Sequence, residues 1–169
     1  MKAKLIIEGK EIEIEISEEE YKKLYPLEKK KTGYERVSEL DVYFYINIRG
    51  SVGTGIDNYY HADDEYYESA NYYSSDVVAG NNARADKLMW QLRRFSVEHR
   101  ERGIDLNNIN TKKFFVTYNY ENNEIRPGYT FQVKSFGTIC FDSREATQAA
   151  INEFYDELIW YFTEYKDSL

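Results

Sequence analysis

Twice along this chain a run of aromatic strand-like residues gives way to a capped helical pattern, and that repeated plan limits the fold more than any other feature. The first run is "DVYFYINIRGSV" (41–52), which leads through "ANYYSSDVVAGNNARADKLMWQLRRFSVEHRERG" (70–103). The second is "KKFFVTYNYENNEIRPGYTFQVKSFGTICF" (112–141), which leads into "DSREATQAAINEFYDELIWYFTEYK" (142–166). Aromatic and β-branched residues favour strands, and "ENNE" and "RPG" supply turns. Strands followed by helices, rather than alternating with them, predict an α+β fold with an antiparallel sheet flanked by two long amphipathic helices. "ANYYSSDVVA" falls where "TICFDSREAT" falls, so the core divides into similar halves, 34–103 and 104–169.

In the first helical pattern Ala85, Leu88, Leu92 and Phe95 recur at core spacing with Met89 beside them, and Gly103 offers a stop. In the last, Asp142 is placed to cap, with Glu145 reaching back. Ile151, Phe154, Leu158, Phe162 and Tyr165 then line one side, which Trp160 and Tyr161 widen.

The amino-terminal residues 1–33 read as a smaller unit. In "KLIIEGKEIEIEIS", Ile12, Ile14 and Ile16 alternate with Glu11, Glu13 and Glu15, the period of a half-buried strand. "EGK" supplies a hairpin turn in which Gly9 can take positive φ. Ser17 with Glu20 forms a capping box for a short helix that Pro26 ends near Tyr25, and a boundary falls near Gly33.

Charge is distributed unevenly. The 169 residues carry a net charge of −8, yet residues 84–102 are basic and residues 51–83 contain no Lys or Arg at all. The acidic balance argues against unaided binding to a nucleic-acid backbone. One cysteine, Cys140, cannot form an internal disulfide, which points to a reducing cytoplasmic setting. The alternating amino terminus is no signal peptide, and no apolar run has the length of a membrane span.

Within the base-free region, "GIDNYYHADDEYYESANYYSSD" (55–76) holds six acids and six tyrosines. Adjacent tyrosines cannot both face inward on a strand, so half of the phenols must look outward. Outward rings among carboxylates form an adhesive, negatively charged surface that resembles a nucleic-acid phosphate path, suited to a basic groove on a partner. The candidate partner-binding residues are Asp57, Tyr59, Tyr60, Asp63, Asp64, Glu65, Tyr66, Tyr67 and Glu68. A wet loop with edge tyrosines packing on the sheet is the bland alternative.

Other chemistries fare less well. "HADDE" (His61, Asp63, Asp64, Glu65) mixes metal-ligand types but fits neither an EF-hand loop nor a zinc pattern, so no metal, cofactor or catalytic residue is assigned. A metal-dependent enzyme built there is a remote alternative. Cys140 in "GTICF" sits where strand alternation would bury it as a small hydrophobe. His99 lies near the end of the basic helix, where its charge is favourable. "RGSVGTG" lacks the Lys-Ser/Thr of a phosphate loop and reads as a flexible turn. The helix at 84–102 could touch nucleic acid through Arg93, Arg94, Arg100 and Arg102, stand as a solvated face, or receive the protein's own acidic segment.

Several phrases together, "VYFYINIRGSV", "GIDNYY", "DDEYYESANYYSSD" and "KLMWQLRRFSVEHRERGIDLNN", resemble a module of small accessory proteins of phages and prophages of Firmicutes. "GTICFDSREATQAAINEFYDELIWYFTEYK" is similar to the closing segment of that module, and "GKEIEIEISEEEYKKL" to its leaders. This chain departs from the common "GNYF" phrase in having Ala70 before "NYY". The resemblance implies a phage origin and an anti-defence role, including that of an anti-CRISPR protein. It implies a host defence partner such as a Cas nuclease effector, bound without direct contact to DNA, and it carries over no active residue.

Overall fold

The structure, a computed structural model, describes residues 2–7, 10–15, 17, 19, 31–101, 103–105, 107–131 and 136–169. Contacts divide the chain into two units, Met1–Lys31 and Thr32–Leu169. In the first, β1 (Lys2–Ile7) and β2 (Lys10–Glu15) form an antiparallel hairpin with Ile12 opposite Leu5 and Ile14 opposite Ala3. Glu11, Glu13 and Glu15 are exposed, as the alternation requires. The turn at residues 8 and 9 and the short helix expected after Ser17 lie outside the described residues.

The second unit runs β3 (Val42–Ile46), β4 (Val52–Ile56), α1 (His61–Glu68), α2 (Asp76–Glu98), β5 (Lys113–Asn119), β6 (Glu124–Thr130), α3 (Arg144–Glu153) and α4 (Tyr155–Thr163). The class is α+β. Among the described residues the strands pair as hairpins, β1 with β2, β3 with β4 and β5 with β6, so the core holds two two-stranded sheets where one sheet is expected, and the amino-terminal hairpin is separate from both. Each core hairpin is extended on one side by a lone bridge, Phe44 to Tyr73 and Phe114 to Phe141.

Two residues beyond each bridge a serine opens a helix. Ser75 Oγ accepts from the Val78 N–H at 3.4 Å, and Ser143 Oγ accepts from the Ala146 N–H at 3.0 Å. Ser143, not Asp142, is therefore the cap of α3: its oxygen reaches the third helical N–H, which one residue earlier would miss. The long closing helix breaks at Phe154, which ends α3 and starts α4. Helix α2 stops at Glu98, before Gly103, and the His99 ring at its end stacks on Phe95 at 3.7 Å with Nδ1 3.1 Å from the Phe95 carbonyl.

Helix α2 is the spine that joins the halves. Val78 and Ala79 near its start pack with Tyr73, Phe44 and Ile46 of the first half. Leu88 and Leu92 further on pack with Ile125, Phe141, Ala150, Ile151 and Leu158 of the second. Asn82 ties both ends of the unit to it, donating to Tyr34 Oη at 2.8 Å and accepting from Tyr165 Oη at 2.7 Å. Gly33 closes the packing: its φ is +95°, and a Cβ there would lie 2.6 Å from Val78 Cγ2. Cys140 is half-buried in irregular chain rather than enclosed by a strand. Among the described residues no helix is long and apolar enough to cross a membrane.

Candidate binding site on the first helix

The base-free segment is not a loop. Its centre is α1, and the acids that were expected to face solvent largely build its anchorage. Strands β3 and β4 set Tyr43 opposite Gly55 and Tyr45 opposite Gly53. Both rings lie over glycine: a Cβ at Gly55 would stand 2.5 Å from the Tyr43 ring, and one at Gly53 2.7 Å from that of Tyr45. Helix α1 covers this face. Tyr66 packs on Tyr45 at 4.4 Å and Tyr43 at 6.0 Å between centroids, while Tyr72 stacks on Tyr43 at 4.3 Å and meets Tyr67 edge-on at 5.4 Å. A phenol can bury its ring and still satisfy its hydroxyl. Tyr72 Oη donates to Asp57 Oδ2 at 2.8 Å and Tyr43 Oη to Asp63 Oδ1 at 3.1 Å.

The missing base comes from upstream. Arg36 grips Asp57 with two parallel bonds, Nε to Oδ2 at 2.8 Å and Nη2 to Oδ1 at 3.0 Å, and sends Nη1 to Asp64 Oδ1 at 2.7 Å. Its guanidinium also lies 4.4 Å from the Tyr59 ring centroid and 5.5 Å from that of Tyr67. Asp57 is fully buried, and it accepts from the Tyr59 N–H as well. The Arg36 bonds hold its carboxyl at about 2, below the ordinary 3.8, against the opposing effect of burial. The guanidinium is correspondingly harder to deprotonate. Burial pushes the Tyr43 and Tyr72 phenols up, reinforced by the carboxylate each touches.

Asp63 performs the other anchoring task. As the third residue of α1 it reaches back to the Tyr60 N–H at 3.1 Å and the Asn58 N–H at 3.0 Å, satisfying donors at the helix start. Left-handed residues bound the element, Tyr59 at φ +55° and Ala70 at φ +58°.

Asp57 and Asp63 are thus removed from the expected partner surface, because an unpaired buried carboxylate would be far costlier than these internal bonds. Asp64 is half spent on Arg36, and Tyr66 is largely turned inward. What faces outward is Tyr60, 70% exposed, with Tyr59, Tyr67, Glu65 and Glu68. His61 stands beside them with its Nδ1 3.4 Å from Glu65. The sequence reading missed Arg36 altogether. Its lone position between the amino-terminal unit and β3 was the only available signal.

Among the described residues the bases of α2 do not pair with the acidic segment. Arg84 pairs with Glu157 of α4 at 2.7 Å and lies 4.0 Å from the Trp160 ring centroid. Arg94 meets Glu98 of its own helix at 3.4 Å, Arg93 and Arg100 are exposed, and Arg102 lies outside the described residues. "RGSVGTG" forms a turn, in which Asn47 Oδ1 accepts from the N–H of Arg49 and of Ser51, and then strand β4. Among the described residues no group of three His, Cys, Asp or Glu is placed to hold a metal ion. Comparison of the chain with protein-family models, curated proteins and solved structures finds no match in any of the three.

Proposed function

We propose that the chain is a phage-derived anti-defence protein that inhibits a Cas nuclease effector by stoichiometric binding, without catalysis. One observation carries the reading: the outer side of α1 offers Tyr60, Tyr59 and Tyr67 beside Glu65 and Glu68, and Arg36 beneath it is committed to Asp57 and Asp64. Exposed aromatics provide contact area at small entropic cost, and clustered carboxylates draw the surface toward a cationic cleft that otherwise holds nucleic acid. The helix anchorage makes the patch rigid before contact, which lowers the cost of binding. The resemblance to phage accessory modules supplies the biological setting.

The test is plasmid cleavage by purified guide-loaded Cas effectors, single-chain and multisubunit, with the chain titrated in. Near-stoichiometric suppression is expected, weakened roughly tenfold or more by the variant Tyr60→Ala/Glu65→Lys/Glu68→Lys, which leaves every anchoring bond intact. Undiminished cleavage by all effectors, or equal suppression by the variant, overturns the reading. A gel shift on random duplex DNA is the companion measurement. No shift is expected, whereas a shift abolished by Arg93→Glu/Arg100→Glu favours a nucleic-acid-binding regulator instead.

A further inference from the structure

The two core hairpins differ at their free edges. Phe44 exchanges both backbone bonds with Tyr73, at 2.8 and 2.9 Å, so its polar groups point away from β4. Ile46 does the same through Asn71, whose Oδ1 accepts from the Ile46 N–H and whose Nδ2 donates to the Ile46 carbonyl, both at 2.8 Å. In an antiparallel ladder the residues opposite them, Thr54 and Val52, then direct their own N–H and C=O to the far side, and Ile56 follows by alternation. Among the described residues, the one group on that edge already engaged is the Ile56 carbonyl, which accepts from Asn58 Nδ2 at 3.1 Å.

The equivalent edge of β6 is blunted. Phe114 bonds to Phe141, so Tyr129, Pro127 and Ile125 face outward there, and Pro127 has no N–H to offer. Strand β4 has no such guard. Residues 50–56 carry no charge and no proline, and Val52, Ile56 and the neighbouring Val42 are 37%, 54% and 49% exposed. Native sheets rarely leave an uncharged apolar edge bare.

The edge is also self-complementary. "VGTGI" reads apolar, Gly, Thr, Gly, apolar in either direction. We infer that β4 is a homodimerisation edge, at which residues 52–56 of two copies pair antiparallel about Thr54. That register sets Val52 of each copy against Ile56 of the other, Gly53 against Gly55, and Thr54 against itself. Combined with the register inside each hairpin, it aligns Val42, Ile56, then Val52 and Ile46 of the second copy, in one apolar row across four strands. Cross-strand apolar pairs of this kind are the stabilising unit of a sheet, and the arrangement closes with two-fold symmetry. On the opposite face Gly53 and Gly55 add no side chain of their own, and the Tyr45 and Tyr43 rings lie over them.

Sedimentation equilibrium of the full chain tests this, with dimers of twice the 20.1 kDa chain mass expected. Val52→Lys/Ile56→Lys places like charges opposite one another and should weaken the dimer roughly tenfold or more with an unchanged circular dichroism spectrum. In a Cys140→Ser background, Thr54→Cys should form an intermolecular disulfide on mild oxidation, because paired Cα atoms would lie about 5.5 Å apart. One-chain mass up to millimolar concentration overturns the inference. So does a dimer that neither the lysines disturb nor the cysteine captures. Neither variant touches α1, so loss of the dimer and loss of inhibition are separable.

Discussion

The two halves of the core share a plan and differ in what covers the hairpin. Each has an aromatic residue facing glycine across the strands, Tyr45 with Gly53 and Phe115 with Gly128. Each follows with a bridge, a capping serine and a helix. In the first half the ring-over-glycine face lies beneath α1 and its Tyr66. In the second, Phe115, Thr117, Arg126 and Gly128 line an open cleft of about 730 Å³. The near end of that face is held by Lys113, whose ammonium donates to the carbonyls of Asn108, Thr111 and Phe131. The acidic, tyrosine-rich segment thus has a local structural role. It is a clamped cover for a hairpin, and only its outer side remains for a partner.

Removing the clamp should have the largest effect. Asp57→Ala leaves Arg36 without its bidentate partner and should cost about 3–5 kcal/mol in urea unfolding, as breaking a buried pair does. A loss below about 1 kcal/mol would mean that α1 is not held through Asp57.

The glycines beneath the two faces should respond unequally. Gly55→Ala drives a Cβ into the Tyr43 ring, which Tyr66 and Tyr72 pin, and should cost about 1–3 kcal/mol. Gly128→Ala meets Thr117 Cγ2 at 2.6 Å, but that side chain lies on the open face, where its hydroxyl bond to the Arg126 carbonyl at 2.9 Å resists turning and no ring packs over it. Its cost should be clearly smaller. Equal costs would show that the cover adds no rigidity.

Acid provides a reversible form of the same test. The Asp57 carboxyl titrates at about 2 in the folded chain against an ordinary 3.8. Glu35, which accepts from the N–H of Thr32 and of Gly33 and from the Thr32 hydroxyl, titrates at about 2 against 4.5. Depressed values stabilise the fold above the unfolded-state pKa, and the contribution disappears as pH falls from about 4.5 to 2. Both groups belong to the first half, so amide exchange there should accelerate before that of β5 and β6 as pH falls through this window.

Two smaller effects close the series. Ser143→Ala should cost about 1 kcal/mol and Ser75→Ala somewhat less, because both cap the third helical N–H but the Ser75 bond is longer, 3.4 against 3.0 Å. Ala70 holds φ +58°, a left-handed conformation that glycine adopts without strain. Ala70→Gly should therefore stabilise the chain by about 1 kcal/mol.

The sequence made some of this legible. Helix α2 was readable because Ala85, Leu88 and Leu92 keep one face, and β3 and β5 because their aromatic runs are long. Strands β4 and β6 were hidden, since the glycines of "RGSVGTG" and the "RPG" phrase read as turns, whereas Val52–Ile56 and residues 126–128 are strand residues. The match of "ANYYSSDVVA" to "TICFDSREAT" aligned Tyr73 with Phe141 and Ser75 with Ser143, the bridge and cap residues of each half. Helix α1 was not readable, since "HADDEYYE" carries no aliphatic stripe and buries itself through Tyr66 and capping bonds. The break at Phe154 was hidden because apolar spacing continues through it. Arg36 was invisible for a different reason: its partners lie 21 and 28 residues away, and no local pattern encodes such a pair.

Arg36 clamps α1 over the first hairpin and leaves one anionic, aromatic side outward. Hydrogen–deuterium exchange of the Arg36→Gln variant tests that clamp most directly. Amides of residues 63–68 should lose protection while those of β5 and β6 keep theirs. Unchanged protection across α1 in that variant would contradict the account.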